Sequence, residues 1–168
     1  PKPDHAGAIW KGSPNYGYPK GAQGRGGRKP IAIVYHITEG TLAATDSWLA
    51  NPSSEVSYHY AVGPQGQIHQ YVREADAAWH AGVVNQPRWT LLTPGVNPNL
   101  DTVGIAWAGK TGEQMTEAAY QSLLAVSRGV LARHKILASG ATLIGHKDID
   151  SVNKAGCPGA AFPWARLH

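Results

Sequence analysis

Three residues of this chain combine reactive side chains with suggestive placement: His36, His146 and the sole cysteine, Cys157. His36 follows the short β-rich run Ile31-Ala-Ile-Val-Tyr35, and His146 follows Thr142-Leu-Ile-Gly, so each histidine stands at the carboxyl end of a candidate strand. With one cysteine no internal disulfide forms, which leaves Cys157 as an inert buried thiol, a nucleophile or a metal ligand. Catalytic zinc commonly takes three protein ligands from His, Asp, Glu or Cys and keeps a fourth position for water. Two strand-end imidazoles, with a thiolate turned back toward them by Cys157-Pro-Gly, meet that description. The rival chemistry has Cys157 attacking and His146 as its base, and it leaves His36 without a role. Asp148 and Asp150 follow His146 in a loop, where acids cap turns or orient a neighbouring ligand, so neither is assigned as a general base. His59, His69 and His134 are read as structural, the last at a helix end where a cation suits the dipole.

Such groups need a rigid frame. The run 31–35 is nearly all apolar, as in a strand covered on both faces, and Val103-Gly-Ile-Ala-Trp107 reads the same way. Residues 41–50 have helix-compatible spacing before Asn51-Pro52 stops them, and SYHYAVGPQGQIHQYV, from Ser57, reads as a hairpin around Pro64-Gln65-Gly66. Pro87, Pro94 and Pro98 make 81–99 a loop. Ala119, Leu123, Val126, Val130 and Leu131 form the apolar stripe of an amphipathic helix over 116–134, with Thr116 as its N-cap. Strands and helices that interleave with one hairpin predict an α/β protein with a central mixed β-sheet flanked by helices. At 168 residues it is a single domain. Residues 1–30, rich in Gly, Pro, Lys and Arg and without a period, read as an irregular arm ahead of a catalytic domain over 31–168.

The net charge is +4, from 15 Lys and Arg against 11 Asp and Glu. The basic residues are scattered apart from Lys20, Arg25, Arg28 and Lys29, which suits mild attraction to an anionic cell wall and offers no basic stripe for nucleic acid. No run approaches the roughly 18 apolar residues of a membrane span, so membrane insertion is not expected, and no signal peptide is visible in the opening Pro1-Lys-Pro-Asp-His. Six Trp and seven Tyr against one Phe supply apolar faces with polar handles, suited to a wet groove.

The segments IAIVYHIT, SYHYAVGPQGQIHQYV, AAWHAG, DTVGIAWAG and IGHKDID with CPGAAFPW stand in the order of the N-acetylmuramoyl-L-alanine amidase type 2 family, and the chain resembles that family over about residues 8 to 166. The family includes phage lysins and animal peptidoglycan-recognition proteins. The resemblance implies one zinc ion held by His36, His146 and Cys157, with Tyr58 and Lys154 as catalytic residues. The gap from Lys154 to Cys157 is one residue longer than the family pattern. It further implies that His80 faces the substrate cleft; from their own placement Trp79 is read as a contact to glycan or stem peptide, and Asn97, with Asn99 in the loop ahead of the strand, as shaping the groove. Ala106 stands where some intracellular members carry a catalytic glutamate, and the opening SPNYGYP is similar to phage lysins. The implied reaction is hydrolysis of the bond between N-acetylmuramic acid and L-alanine in bacterial peptidoglycan, by a monomeric lysin or secreted protein acting on the wall. The alternative is a recognition module of the same fold that binds peptidoglycan without cutting it.

Overall fold

The computed structural model describes residues 1–168 and is organised around one six-stranded sheet. Its strands are β1 (Ile9–Trp10), β2 (Ala32–Ile37), β3 (Tyr60–Val62), β4 (Ile68–Gln70), β5 (Thr102–Trp107) and β6 (Leu143–Gly145), in the spatial order β1-β4-β3-β5-β2-β6. Every neighbouring pair is parallel except the β3–β4 hairpin, which makes the sheet mixed as expected. The helices are α1 (Leu42–Ala50), α2 (Glu117–His134) and α3 (Trp164–Leu167).

Side-chain alternation divides the sheet into two faces. The odd-numbered residues Ile33, Tyr35, Ile37, Val103, Ile105 and Trp107 pack in one cluster with Ala119, Leu123, Val126 and Val130 of α2. That stripe is the one predicted for the helix, and Thr116 caps it by accepting the Ala119 amide at 3.1 Å. The even-numbered side chains point the other way: Ala106 lies under α1, and Ala32 and Val34 lie under the loop that carries Ala81 and Trp89. His36 belongs to this second set, so β2 holds it on the face away from α2.

Residues 1–30 join the sheet through one short strand and are held further by side-chain hydrogen bonds. β1 runs parallel to β4, and the Asp4 carboxylate accepts Gln70 Nε2 at 2.7 Å and the Glu74 amide at 2.8 Å. Arg25, expected within a surface cluster of basic residues, is 4% exposed. Its guanidinium donates to the carbonyls of Glu74, Asn99 and Thr102 at 3.0, 3.1 and 2.8 Å, so main-chain oxygens replace the water it has lost. At the far end of α2, His134 and Arg133 both bind the buried Glu74 carboxylate, at 2.8 Å and 2.7 Å. A carboxylate partner, more than the helix dipole, accounts for His134.

Candidate metal centre

Neighbouring parallel strands bring the two histidines together. His36 is the penultimate residue of β2, and β6 pairs its Gly145 with Tyr35, so His146 emerges beside His36. Their ring centroids are 4.7 Å apart. The chain after His146 folds straight back. The Asp148 carboxylate accepts the Gly145 amide at 2.9 Å, the Asp150 carboxylate accepts the amides of Val152 and Asn153 at 3.2 and 2.8 Å, and Lys147 N donates to the Cys157 carbonyl at 3.1 Å. Both acids therefore close turns, as read from the sequence. Gly145 is needed because a Cβ there would lie 2.8 Å from Pro158 Cδ, blocking the return of the Cys157 turn. The result places Cys157 Sγ 3.9 Å from His36 Nδ1.

The donor atoms of His36, His146 and Cys157 all lie within 4.8 Å of one another. A tetrahedral zinc with ordinary Zn–N and Zn–S bonds holds its N and S donors about 3.6 Å apart, so the 3.9 Å separation needs only a small closure. Two imidazoles and a thiol are also the donor types that zinc favours and that calcium or magnesium does not. Burial, aided by the neighbouring charges of His146, His80 and Lys154, drives His36 well below the usual histidine pKa. Burial and then Lys154 bring His146 to about 4. Both rings are thus neutral at neutral pH, with lone pairs free to ligate. Burial raises the Cys157 thiol to about 11. A thiol so raised is a poor free nucleophile, and the imidazole nitrogen at 3.9 Å from it belongs to His36, not to the His146 that the nucleophile reading needs as base.

The donors sit in a cleft of about 730 Å³. Tyr58 lines it, with its ring 5.0 Å from that of His36, and burial holds its hydroxyl above the usual tyrosine pKa. His59, just ahead of β3, is fully buried beside His80, with ring centroids 5.8 Å apart, and its Nδ1 accepts the Gly104 amide at 3.0 Å. Lys154 is exposed on the cleft wall. Trp79 forms part of the wall with its Nε1 donating to Gly17 O at 3.1 Å and its ring 6.1 Å from Tyr18. His80 borders the cleft, as the resemblance implies, but it is 6% exposed and its ring nitrogens are engaged within the protein, Nδ1 at 2.9 Å from His36 Nε2 and Nε2 at 3.3 Å from Thr102 Oγ1. One expectation changes. Asn97 does not line the cleft, because its side chain is turned to cap the Asn99 amide at 3.0 Å. Asn99 lines it instead, and its Oδ1 accepts Ala81 N at 2.8 Å while its Nδ2 donates to the Tyr18 hydroxyl at 2.8 Å. Tyr18 had no sequence signal as a wall residue, since it lies in a Gly/Pro-rich stretch without periodicity. Ala106 is the register partner of His36, so β5 brings no carboxylate to the centre.

Comparison with known proteins agrees with this geometry. Residues 26–160 match the N-acetylmuramoyl-L-alanine amidase family. N-acetylmuramoyl-L-alanine amidase A of Achromobacter lyticus is 26% identical over 184 aligned residues, covering 98% of this chain and 93% of that protein. The 1,6-anhydro-N-acetylmuramyl-L-alanine amidase AmpD of Escherichia coli is 38% identical over 112 residues, which cover 67% of this chain and only 56% of the relative. The chain thus spans nearly all of the Achromobacter relative and about half the length of AmpD. A crystal structure of an AmpD derivative superposes with a TM-score of 0.76 at 28% identity, covering 96% of this chain and 93% of that one. The amidase AmiD of E. coli, in complex with anhydro-N-acetylmuramic acid-L-Ala-D-gamma-Glu-L-Lys, superposes with a TM-score of 0.70 at 25% identity, covering 88% and 58%. With two strand-end histidines and a cysteine converging in the cleft of a matching fold, the chain belongs to the N-acetylmuramoyl-L-alanine amidase family, enzymes that hydrolyse the bond between N-acetylmuramic acid and L-alanine.

Proposed function

We propose that this protein cuts that amide in bacterial peptidoglycan with one zinc ion held by His36, His146 and Cys157. The observation that carries the proposal is the convergence of the three donor atoms within 4.8 Å inside an open cleft. When bound, zinc supplies a Lewis acid that lowers the pKa of water and polarises the scissile carbonyl. The chain's own residues do the rest. Two neutral imidazoles and one thiolate offset only one of the two zinc charges, leaving the centre electrophilic. Tyr58, whose phenol is protonated at neutral pH and kept so by burial, donates a hydrogen bond to the oxygen that gains negative charge. Lys154, exposed and free to turn inward, adds positive charge to the same oxygen. Trp79 and Tyr18 offer aromatic faces to sugar or stem peptide, and Asn97 acts through Asn99, whose amide it caps.

A non-catalytic recognition module would have no use for a complete donor set, which favours the enzyme. The substrate is the wall itself, which the net charge of +4 helps the protein approach, and the protein acts there as a monomeric, endolysin-like bacteriolytic enzyme. The 38% identity to AmpD supports a second reading in which soluble 1,6-anhydromuramyl peptides are cut instead. Offering both substrates to the purified protein separates the two. The metal assignment is tested by zinc content: His36→Ala and Cys157→Ala are each expected to lose zinc and amidase activity together. A Cys157→Ala variant that keeps both contradicts the assignment.

A further inference from the structure

We propose that His80 is a positioning residue for the metal centre: it accepts a hydrogen bond from His36 Nε2–H and so fixes the tautomer that leaves His36 Nδ1 bare toward the cleft. The assignment follows from a chain of hydrogen bonds anchored where no ambiguity exists. A main-chain carbonyl can only accept, so at the Pro98 carbonyl, 2.8 Å from Thr102 Oγ1, the threonine hydroxyl is the donor. Having spent its proton, that hydroxyl accepts from His80 Nε2–H at 3.3 Å. A neutral imidazole carries one N–H, so His80 Nδ1 is bare. It therefore accepts across the 2.9 Å contact to His36 Nε2, which must carry the proton. His36 Nδ1 is then the lone-pair atom, and it is the atom that faces Cys157 Sγ at 3.9 Å. The tautomer needed for metal binding is thus set from the Pro98 carbonyl, through Thr102 and His80.

His80 is held too firmly to do otherwise. Its main-chain N–H donates to Asn99 Oδ1 at 3.3 Å, and Ala81 N donates to the same oxygen at 2.8 Å. Its ring lies flat against β5 at Gly104, where a Cβ would come within 2.6 Å of His80 Cγ. The His36 and His80 ring planes are 86° apart with centroids at 5.0 Å, and their close contact runs from nitrogen to nitrogen at 2.9 Å, as a hydrogen bond into an in-plane lone pair requires. Hydrogen bonds of this kind to metal-ligating histidines raise ligand basicity and fix ring orientation, and their loss typically costs 10–100-fold in metal affinity.

The inference rests on the zinc reading, and the test separates the failures of the two. Zinc dissociation constants would be measured by competition with a chromogenic chelator for the wild-type chain and for His80→Ala, His80→Gln and His80→Asn, with melting temperature followed in parallel. Asparagine places its carboxamide oxygen where Nδ1 stands and keeps the acceptor for His36. Glutamine reaches toward Thr102 and loses it. The expected result is a loss of zinc affinity on the order of 10–100-fold for the Ala and Gln variants, with His80→Asn close to wild type. Should His80→Ala fail to fold, the Asn and Gln pair decides alone. Equal weakening in the Asn and Gln variants, or wild-type affinity in all variants, overturns the positioning role while leaving the zinc reading intact. A folded wild-type chain that takes up no zinc overturns both.

Discussion

Glu74→Gln is expected to remove a large part of the protein's acid sensitivity. The Glu74 side chain is 3% exposed and lies where the arm, the hairpin and α2 meet. Its oxygens accept from Arg133 Nη2 at 2.7 Å, Arg133 Nε at 3.0 Å, His134 Nε2 at 2.8 Å and the Tyr60 hydroxyl. Burial alone would raise its pKa, but the hydrogen bonds from His134, Arg133 and Tyr60 outweigh it and hold the carboxyl at about 2, against an ordinary 4.5. A carboxylate depressed in the folded state contributes stability that is fully present above the unfolded pKa and is lost as pH falls from 4.5 through about 2. The size of that shift corresponds to about 3 kcal/mol. Glutamine keeps the volume and one acceptor oxygen but does not titrate. The stability difference between wild type and variant should therefore shrink by about 3 kcal/mol from about pH 6 to about pH 2. Urea unfolding followed by tryptophan fluorescence at a series of pH values measures it, since the other carboxylates titrate in both chains and cancel in the difference. A difference that stays constant across this range would refute the assignment of the buried ion cluster as an acid-labile clamp.

Two further outcomes concern Arg25 and Tyr58. Arg25→Ala leaves the carbonyls of Glu74, Asn99 and Thr102 without their donor, and at about 1–3 kcal/mol for each buried acceptor left unpaired, urea unfolding should show a loss of about 3 kcal/mol or more; a surface-like change below about 0.5 kcal/mol would contradict it. Tyr58→Phe should keep zinc in full and lower kcat on muramyl peptides by on the order of 10²–10³, as for loss of one oxyanion donor, and an unchanged kcat would remove Tyr58 from the chemistry.

The elements most legible in the sequence were those whose determinants are local. Thr116 announces α2, and the apolar run 31–35 already announces the buried strand that carries His36 at its end. What stayed hidden depends on partners far away along the chain. β1 is two residues long and exists because β4, some sixty residues later, receives it. Arg25 looks like a surface charge until the carbonyls of residues 74, 99 and 102 close around it. His80 was legible as a cleft residue, but its orientation is set by the absence of a side chain at Gly104 and by Thr102, neither of which carries a motif. Asn97 and Asn99 differ in role only because one caps the turn that presents the other. The three candidate donors were legible as residues at two strand ends and a Cys-Pro-Gly turn; their convergence depends on the parallel pairing of β2 with β6, which no local feature announces.

The most direct test is digestion of purified peptidoglycan with the zinc-loaded protein, with and without chelation, followed by identification of the chain ends released. New amino-terminal alanine without new reducing sugar ends, abolished by the chelator and restored by zinc, is the predicted result. Alanine ends that persist after complete removal of the metal, or tight wall binding with no new ends at all, would contradict a zinc amidase built on His36, His146 and Cys157.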